Sequence, residues 1–136
     1  MRLNLNNFKA SNTTTRNKEV KRILLVDDQR DSGYVFELML KREGYAVDTF
    51  TDPIKALTVF EPGYYDLIIL DYRMAGLNGL GFIQSVRKLD EFVKAILVTA
   101  WEPGSIGNDL QKWFVKILSK PIAVDVLVEE VIIALL

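Results

Sequence analysis

The chain has 136 residues, 17 basic and 18 acidic side chains, a formal net charge of −1, and 49% hydrophobic against 26% charged residues, the proportions of one globular domain with a sizeable core. It contains no cysteine and no histidine, which excludes disulfides, thiolate metal sites, thiol nucleophiles, imidazole bases and most transition-metal centres. No apolar run approaches the roughly 18 residues of a membrane span, and the near-neutral charge gives no general reason to expect direct nucleic-acid binding.

Residues 1–18 carry Arg2, Lys9, Arg16 and Lys18 and no acid, and are rich in Asn and Thr. Their apolar residues (Leu3, Leu5, Phe8) are too sparse for a secretory signal. A flexible extension over 1–20 is therefore expected, with one domain over 21–136. The sequon-like Asn12-Thr13-Thr14 is a pattern that chance supplies often.

From residue 21 short apolar runs alternate with helical segments. Ile23-Leu24-Leu25-Val26 is continuous and stops at Asp27-Asp28, as in a strand buried on both faces of a parallel sheet. Asp31 is expected to cap a helix through about Glu43, with Val35, Leu38 and Met39 as its apolar stripe and Gly44 as its stop. Tyr45 to Phe50 reads as a second strand. Asp52-Pro53 then starts a helix, a capping carboxylate followed by proline at the first helical position, and Pro62-Gly63 breaks it.

Leu67 to Leu70 forms a third buried strand ending at Asp71. Phe82, Ile83, Val86 and Leu89 mark the next helix. Ala95 to Val98 is a fourth strand ending at Thr99, and a short, poor helix follows Pro103 to about Trp113. Phe114 to Leu118 is the fifth strand, ending near Lys120-Pro121. A last helix over 123–135 is expected to bury Val124, Leu127, Val128, Val131 and Ile132. Five strands alternating with five helices predict an α/β, doubly wound, open parallel sheet with helices on two faces. Ligands then belong at the carboxyl ends of the strands.

Asp27, Asp28, Asp71, Thr99 and Lys120 each stand where a predicted strand has just ended, so a parallel sheet gathers them along one edge. Three crowded carboxylates repel one another and invite a hard divalent cation. Mg²⁺ suits a shallow oxygen site that also admits phosphate. With that charge and Lys120 offsetting a phosphoryl group, Asp71 can act as the nucleophile and form an acyl phosphate, and Thr99 can donate to a phosphate oxygen. Any one of these residues alone is ordinary turn or loop chemistry. Their joint placement, in order and at four different strand ends, is what argues for a site.

With those residues in view, the chain from about 21 to 136 resembles the response-regulator receiver domain of two-component signalling. Leu24-Leu25-Val26-Asp27-Asp28, Leu67 to Met74 around Asp71 with Gly79 beyond, Val98-Thr99-Ala100 and Ser119-Lys120-Pro121 match its signatures in order. The resemblance implies a flavodoxin-like sheet of strand order 2-1-3-4-5. It implies Asp71 as phosphoacceptor, and Mg²⁺ held by Asp27, Asp28, Asp71 and the backbone carbonyl of Arg73. Lys120, Thr99 and the Ala100 amide would contact the phosphoryl group, and the Lys120-Pro121 peptide would be cis. It further implies a donor that is a sensor histidine kinase, a phosphotransfer protein or a small acyl phosphate. A cytoplasmic location follows, with no turnover beyond self-phosphorylation and autodephosphorylation, and a homodimer face on helix 4, strand 5 and helix 5.

Three departures stand out. Ala75 replaces the proline usual after the methionine. Ile117 stands where the family often carries a switch aromatic, with Trp113 or Phe114 as a nearby substitute. Trp101-Glu102-Pro103-Gly104-Ser105 is unusual before helix 4, where partner choice commonly resides. Arg73 and Trp101 are both bulky and flank the expected path of hydrolytic water, so a long-lived phosphoryl-Asp71 is expected. The rival within the fold is a degenerate receiver acting as a phosphorylation-independent interaction module. An aspartyl-phosphate hydrolase needs a second Asp two residues after the nucleophile, where this chain has Arg73. A nucleotide enzyme needs a glycine-rich loop where it has Asp27-Asp28-Gln29-Arg30.

Overall fold

The computed structural model describes residues 20–100 and 107–136; the expected extension, the stretch around Pro103 and Trp101 lie outside the described residues. Five strands form one sheet: β1 (Arg22–Val26), β2 (Ala46–Phe50), β3 (Leu67–Asp71), β4 (Lys94–Thr99) and β5 (Lys116–Ser119). Their order is β2-β1-β3-β4-β5 and every pairing is parallel. The helices are α1 (Arg30–Arg42), α2 (Pro53–Val59), α3 (Gly79–Leu89), α4 (Asn108–Gln111) and α5 (Val124–Ala134).

Period-two side-chain alternation splits each continuous apolar run between two cores. Leu24, Val26, Ile68, Leu70, Ala95 and Leu97 point to one face, where Ala56 of α2, Phe82, Ile83 and Val86 of α3 and Leu110 of α4 cover them. Ile23, Leu25, Leu67, Ile69, Ile96 and Val98 point to the other, beneath Phe36 and Leu40 of α1 and Leu127 and Val131 of α5. Two covered faces explain why these strands are apolar throughout rather than alternating.

Several expectations need correction. α1 buries Gly33, Phe36 and Leu40, while Val35 and Leu38 are 44% and 45% exposed and Met39 is half-buried, so two of the three residues of the apolar stripe read from the sequence face away from the sheet. Its N-cap is Gln29, without a side-chain cap, and Asp31 sits inside the first turn. Leu89 and Ile132 are exposed. β5 starts at Lys116 rather than Phe114. The second helix ends at Val59, before Pro62-Gly63. Other signals hold: the Asp52 carboxylate accepts from the amides of Ile54 and Lys55 with Pro53 behind it, and Gly44, at φ +99°, ends α1 with its amide on the Lys41 carbonyl. That left-handed backbone suits glycine, which has no Cβ to clash.

Candidate functional site

β1, β3, β4 and β5 end side by side, and the register carries their terminal residues to one edge: Val26 pairs with Leu70, Asp71 with Val98 and Thr99 with Ser119. Asp27 and Asp28 follow β1, Asp71 closes β3, Thr99 closes β4 and Lys120 follows β5. Asp27, Asp71 and Thr99 are 3%, 8% and 1% exposed, whereas Asp28 lies open to solvent. Three polar groups held that far from water require partners or ligands.

Lys120 links two strand ends. Its Nζ lies 3.1 Å from Asp71 Oδ2 and 3.3 Å from Asp27 Oδ2. Its amide donates to the Thr99 carbonyl at 2.7 Å, so this residue meets β4 through its backbone and β1 and β3 through its side chain. The following peptide, Lys120-Pro121, is cis, as the sequence expectation required. Asp27 is fixed in turn: its amide donates to the Phe50 carbonyl at 3.1 Å, and its Oδ1 accepts from the Gln29 amide at 2.9 Å. Its second oxygen remains directed at Lys120.

The electrostatics are those of an overcrowded acidic cluster. Carboxylate oxygens of Asp27, Asp28 and Asp71 all lie within 4.8 Å of one another. Burial raises the Asp71 carboxyl above the ordinary value of 3.8; Lys120 opposes this by hydrogen bond and charge, and Asp27 and Asp28 push it up further. Burial alone would lower the Lys120 ammonium, but the charges and hydrogen bonds of Asp27 and Asp71 outweigh it and hold the group above its ordinary 10.5. Three carboxylates against one ammonium leave an excess of negative charge that a divalent cation fits.

The loop after Asp71 is positioned by Gly79. Its amide donates to the Tyr72 carbonyl at 2.7 Å, and a Cβ there would lie 2.9 Å from the Asp71 carbonyl oxygen and 3.0 Å from Tyr72 Cα. The sequence pattern marked Gly79 only as a matching glycine; the close approach that demands it is tertiary. Arg73 is exposed in this loop, two residues beyond Asp71. Ala100 is exposed at the end of β4 and, with Gln29, Ser32, Phe36, Lys120, Pro121 and Ile122, lines a cavity of about 400 Å³ beside the ammonium. Ile117, opposite Leu97, is partly buried against the core beneath α3, together with Trp113 and Phe114.

A five-stranded 2-1-3-4-5 parallel sheet with an acid cluster and a lysine at its carboxyl edge defines a flavodoxin-like receiver-type domain. The chain belongs to the response-regulator receiver family: the family model described as "Response regulator receiver domain" matches residues 23–132. It is 34% identical to the response regulator TrrA of Thermotoga maritima, solved in complex with Mg²⁺ and BeF, with a TM-score of 0.75 over 85% of this chain and 99% of that one. It is 27% identical over 81 residues to sporulation initiation phosphotransferase F of Bacillus subtilis, which spans 60% of this chain and 65% of that protein. It is 36% identical over 78 residues to the Bacillus subtilis transcriptional regulatory protein YkoG, spanning 57% of this chain and 34% of that one. The region matched thus makes up about a third of such regulators.

Proposed function

We propose that this domain is a phosphoacceptor switch in which Asp71 takes a phosphoryl group from the phosphohistidine of a sensor kinase or phosphotransfer protein, or from a small acyl phosphate. The observation that carries this reading is the convergence of Asp27, Asp28, Asp71 and Lys120 on one edge, with Lys120 within 3.3 Å of two buried carboxylates. The 34% identical Thermotoga maritima protein, solved in complex with Mg²⁺ and BeF, supports it, since a divalent cation and a phosphoryl-like group are what such an acidic edge with a lysine would accept.

An Asp71 carboxylate oxygen attacks phosphorus, an O–P bond forms, and the donor's P–N or P–O bond breaks with its electron pair leaving on the donor. Lys120 exchanges part of its pairing with Asp71 for an incoming phosphate oxygen, which needs only a small movement of a group already there. Thr99, at the end of the neighbouring strand, supplies a hydroxyl to the product, and the Ala100 amide a second donor. Asp27, Asp28, Asp71 and the Arg73 carbonyl would hold Mg²⁺, which supplies charge neutralisation for the transferred group.

The acyl phosphate adds about −1.5 to −2 charge at this edge. Because the Lys120 amide is bonded to the Thr99 carbonyl, rearrangement there acts on β4, β5 and the start of α5 together. On α5, Val126 and Ile133 stand seven residues apart and are both exposed, a short apolar strip suited to a homodimer or an output partner. The domain performs no turnover beyond its own phosphorylation and dephosphorylation in this reading, and works in the cytoplasm beside its donor.

Incubation with acetyl phosphate and Mg²⁺ followed by intact-mass measurement tests the proposal. The mass of one phosphoryl group should appear on the wild-type chain and be absent from Asp71→Asn and from samples in which Mg²⁺ is chelated. Equal labelling of Asp71→Asn, or none of the wild type by any phosphohistidine or acyl phosphate donor, sinks it and leaves the interaction-module reading.

A further inference from the structure

α1 turns a row of side chains away from the sheet. Asp31, Val35, Leu38 and Arg42 stand at i, i+4, i+7 and i+11, a spacing that sets them along one line of a helix. That line is the outward one: all four residues are exposed, opposite the buried Gly33, Phe36 and Leu40. Tyr34, 60% exposed, widens its apolar centre on one side. Among the described residues neither Asp31 nor Arg42 makes an ion pair, whereas the neighbouring Lys41 is paired with Glu37. An acid early in a helix and a base late in it suit the helix dipole, which accounts for the sign at each end. The dipole does not account for their sharing one line with two exposed aliphatic side chains.

The order acid, aliphatic, aliphatic, base is symmetric about a point midway between Phe36 and Glu37: Asp31 and Arg42 lie equally far from it, as do Val35 and Leu38. We propose that a second copy of this chain docks on this face, its α1 antiparallel to the first about a two-fold axis. Each Asp31 then meets the partner's Arg42 and each Val35 the partner's Leu38, so two ion pairs close the ends of an apolar centre. A two-fold contact uses the same patch twice, and this patch complements itself. α5 lacks that property. It carries Asp125, Glu129 and Glu130 and no basic residue, so a second copy laid along it would meet like charge, which leaves its apolar strip to an output partner. One helix face falls well short of the roughly 800 Å² per partner that a stable complex buries, so the dimer is a weak one, populated where the protein is concentrated. None of these side chains belongs to the acidic cluster, and the dimer does not depend on phosphorylation of Asp71.

Sedimentation equilibrium of the full, unphosphorylated chain provides the test. Wild type should self-associate at concentrations up to about 1 mM, the range open to a contact of this size. Asp31→Arg alone opposes base to base at both ends, and Arg42→Asp alone opposes acid to acid; each should weaken association roughly tenfold or more. An equimolar mixture of the two variants regains both ion pairs between unlike chains and should associate about as well as wild type. Leu38→Ser in both components should abolish that association, which separates the docked face from simple attraction between oppositely charged proteins. These positions are all exposed, and melting temperatures show that each variant is folded. A wild type that stays monomeric at about 1 mM, a mixture no more associated than its components, or a mixture indifferent to Leu38→Ser overturns the proposal. So does a wild-type dimer that is abolished by Ile133→Ser on α5 and untouched by Asp31→Arg.

Discussion

Single residues decide how tightly the edge of the sheet is built. A Cβ at Gly79 would meet the backbone of Asp71 and Tyr72 at 2.9 and 3.0 Å, closer than the Leu97 side chain at 3.2 Å, so its nearest neighbours are main-chain atoms that cannot swing aside. Gly79→Ala should therefore cost about 1–3 kcal/mol by overpacking, and should slow acetyl phosphate labelling beyond what the lost stability explains, because the carbonyl that moves belongs to Asp71, the proposed phosphoacceptor. Urea melts and the labelling rate of the remaining folded fraction separate the two effects. At the other edge, the Tyr65 hydroxyl donates to Asp48 Oδ2 at 2.7 Å while its ring stacks on Phe60. Burial, then the Asp48 hydrogen bond, push the phenol above its ordinary value of 10.0. A raised folded value means that the contribution is whole below pH 10 and is lost as the pH climbs from there toward the folded value. Tyr65→Phe should cost about 1 kcal/mol at pH 7, with the gap between variant and wild type closing in alkali. A gap that widens above pH 10 would contradict the assigned hydrogen bond.

At the scale of elements, α1 separates what a sequence pattern can and cannot specify. Both Val35, Leu38, Met39 and Gly33, Phe36, Leu40 satisfy helical spacing, and only the sheet beneath chooses between them. Phe36→Ala should destabilise by about 3–5 kcal/mol, whereas Leu38→Ala should stay within about 0.5 kcal/mol; denaturant midpoints reversed in that order would restore the stripe first expected. The caps follow the same logic. Asp52→Ala removes a carboxylate that accepts two amides and should cost about 1 kcal/mol, while Asp31→Ala, one position inside its helix, should cost much less. β1, β3 and β4, and the polar residues at their ends, were legible because continuous apolar runs stop at charged or hydroxyl residues, a signal that survives without tertiary information. Gly79's clearance, Gln29's grip on Asp27 and the outward face of α1 were not legible, since each depends on atoms brought near by folding.

Across the whole molecule, stability and function oppose one another at the carboxyl edge. The two cores on either side of the sheet hold Asp27 and Asp71 close together regardless of their repulsion, and one lysine offsets only part of it. The charged form of Asp71 is therefore carried by the rest of the fold rather than supporting it. Asp71→Asn removes that charge with little change in shape, so the metal-free variant should melt several degrees above metal-free wild type. Mg²⁺ should reverse the order of benefit: at about 100 times its Kd a cation that binds only the folded state adds roughly 2.7 kcal/mol, or about 10 °C for a domain of this size. The variant, lacking one of the three carboxylates, should gain clearly less. Calorimetric scans of both proteins with and without MgCl₂ measure the two differences in one experiment. A metal-free variant less stable than wild type would mean that the Lys120 ion pairs outweigh the crowding, and equal gains from Mg²⁺ would place the cation somewhere other than beside Asp71.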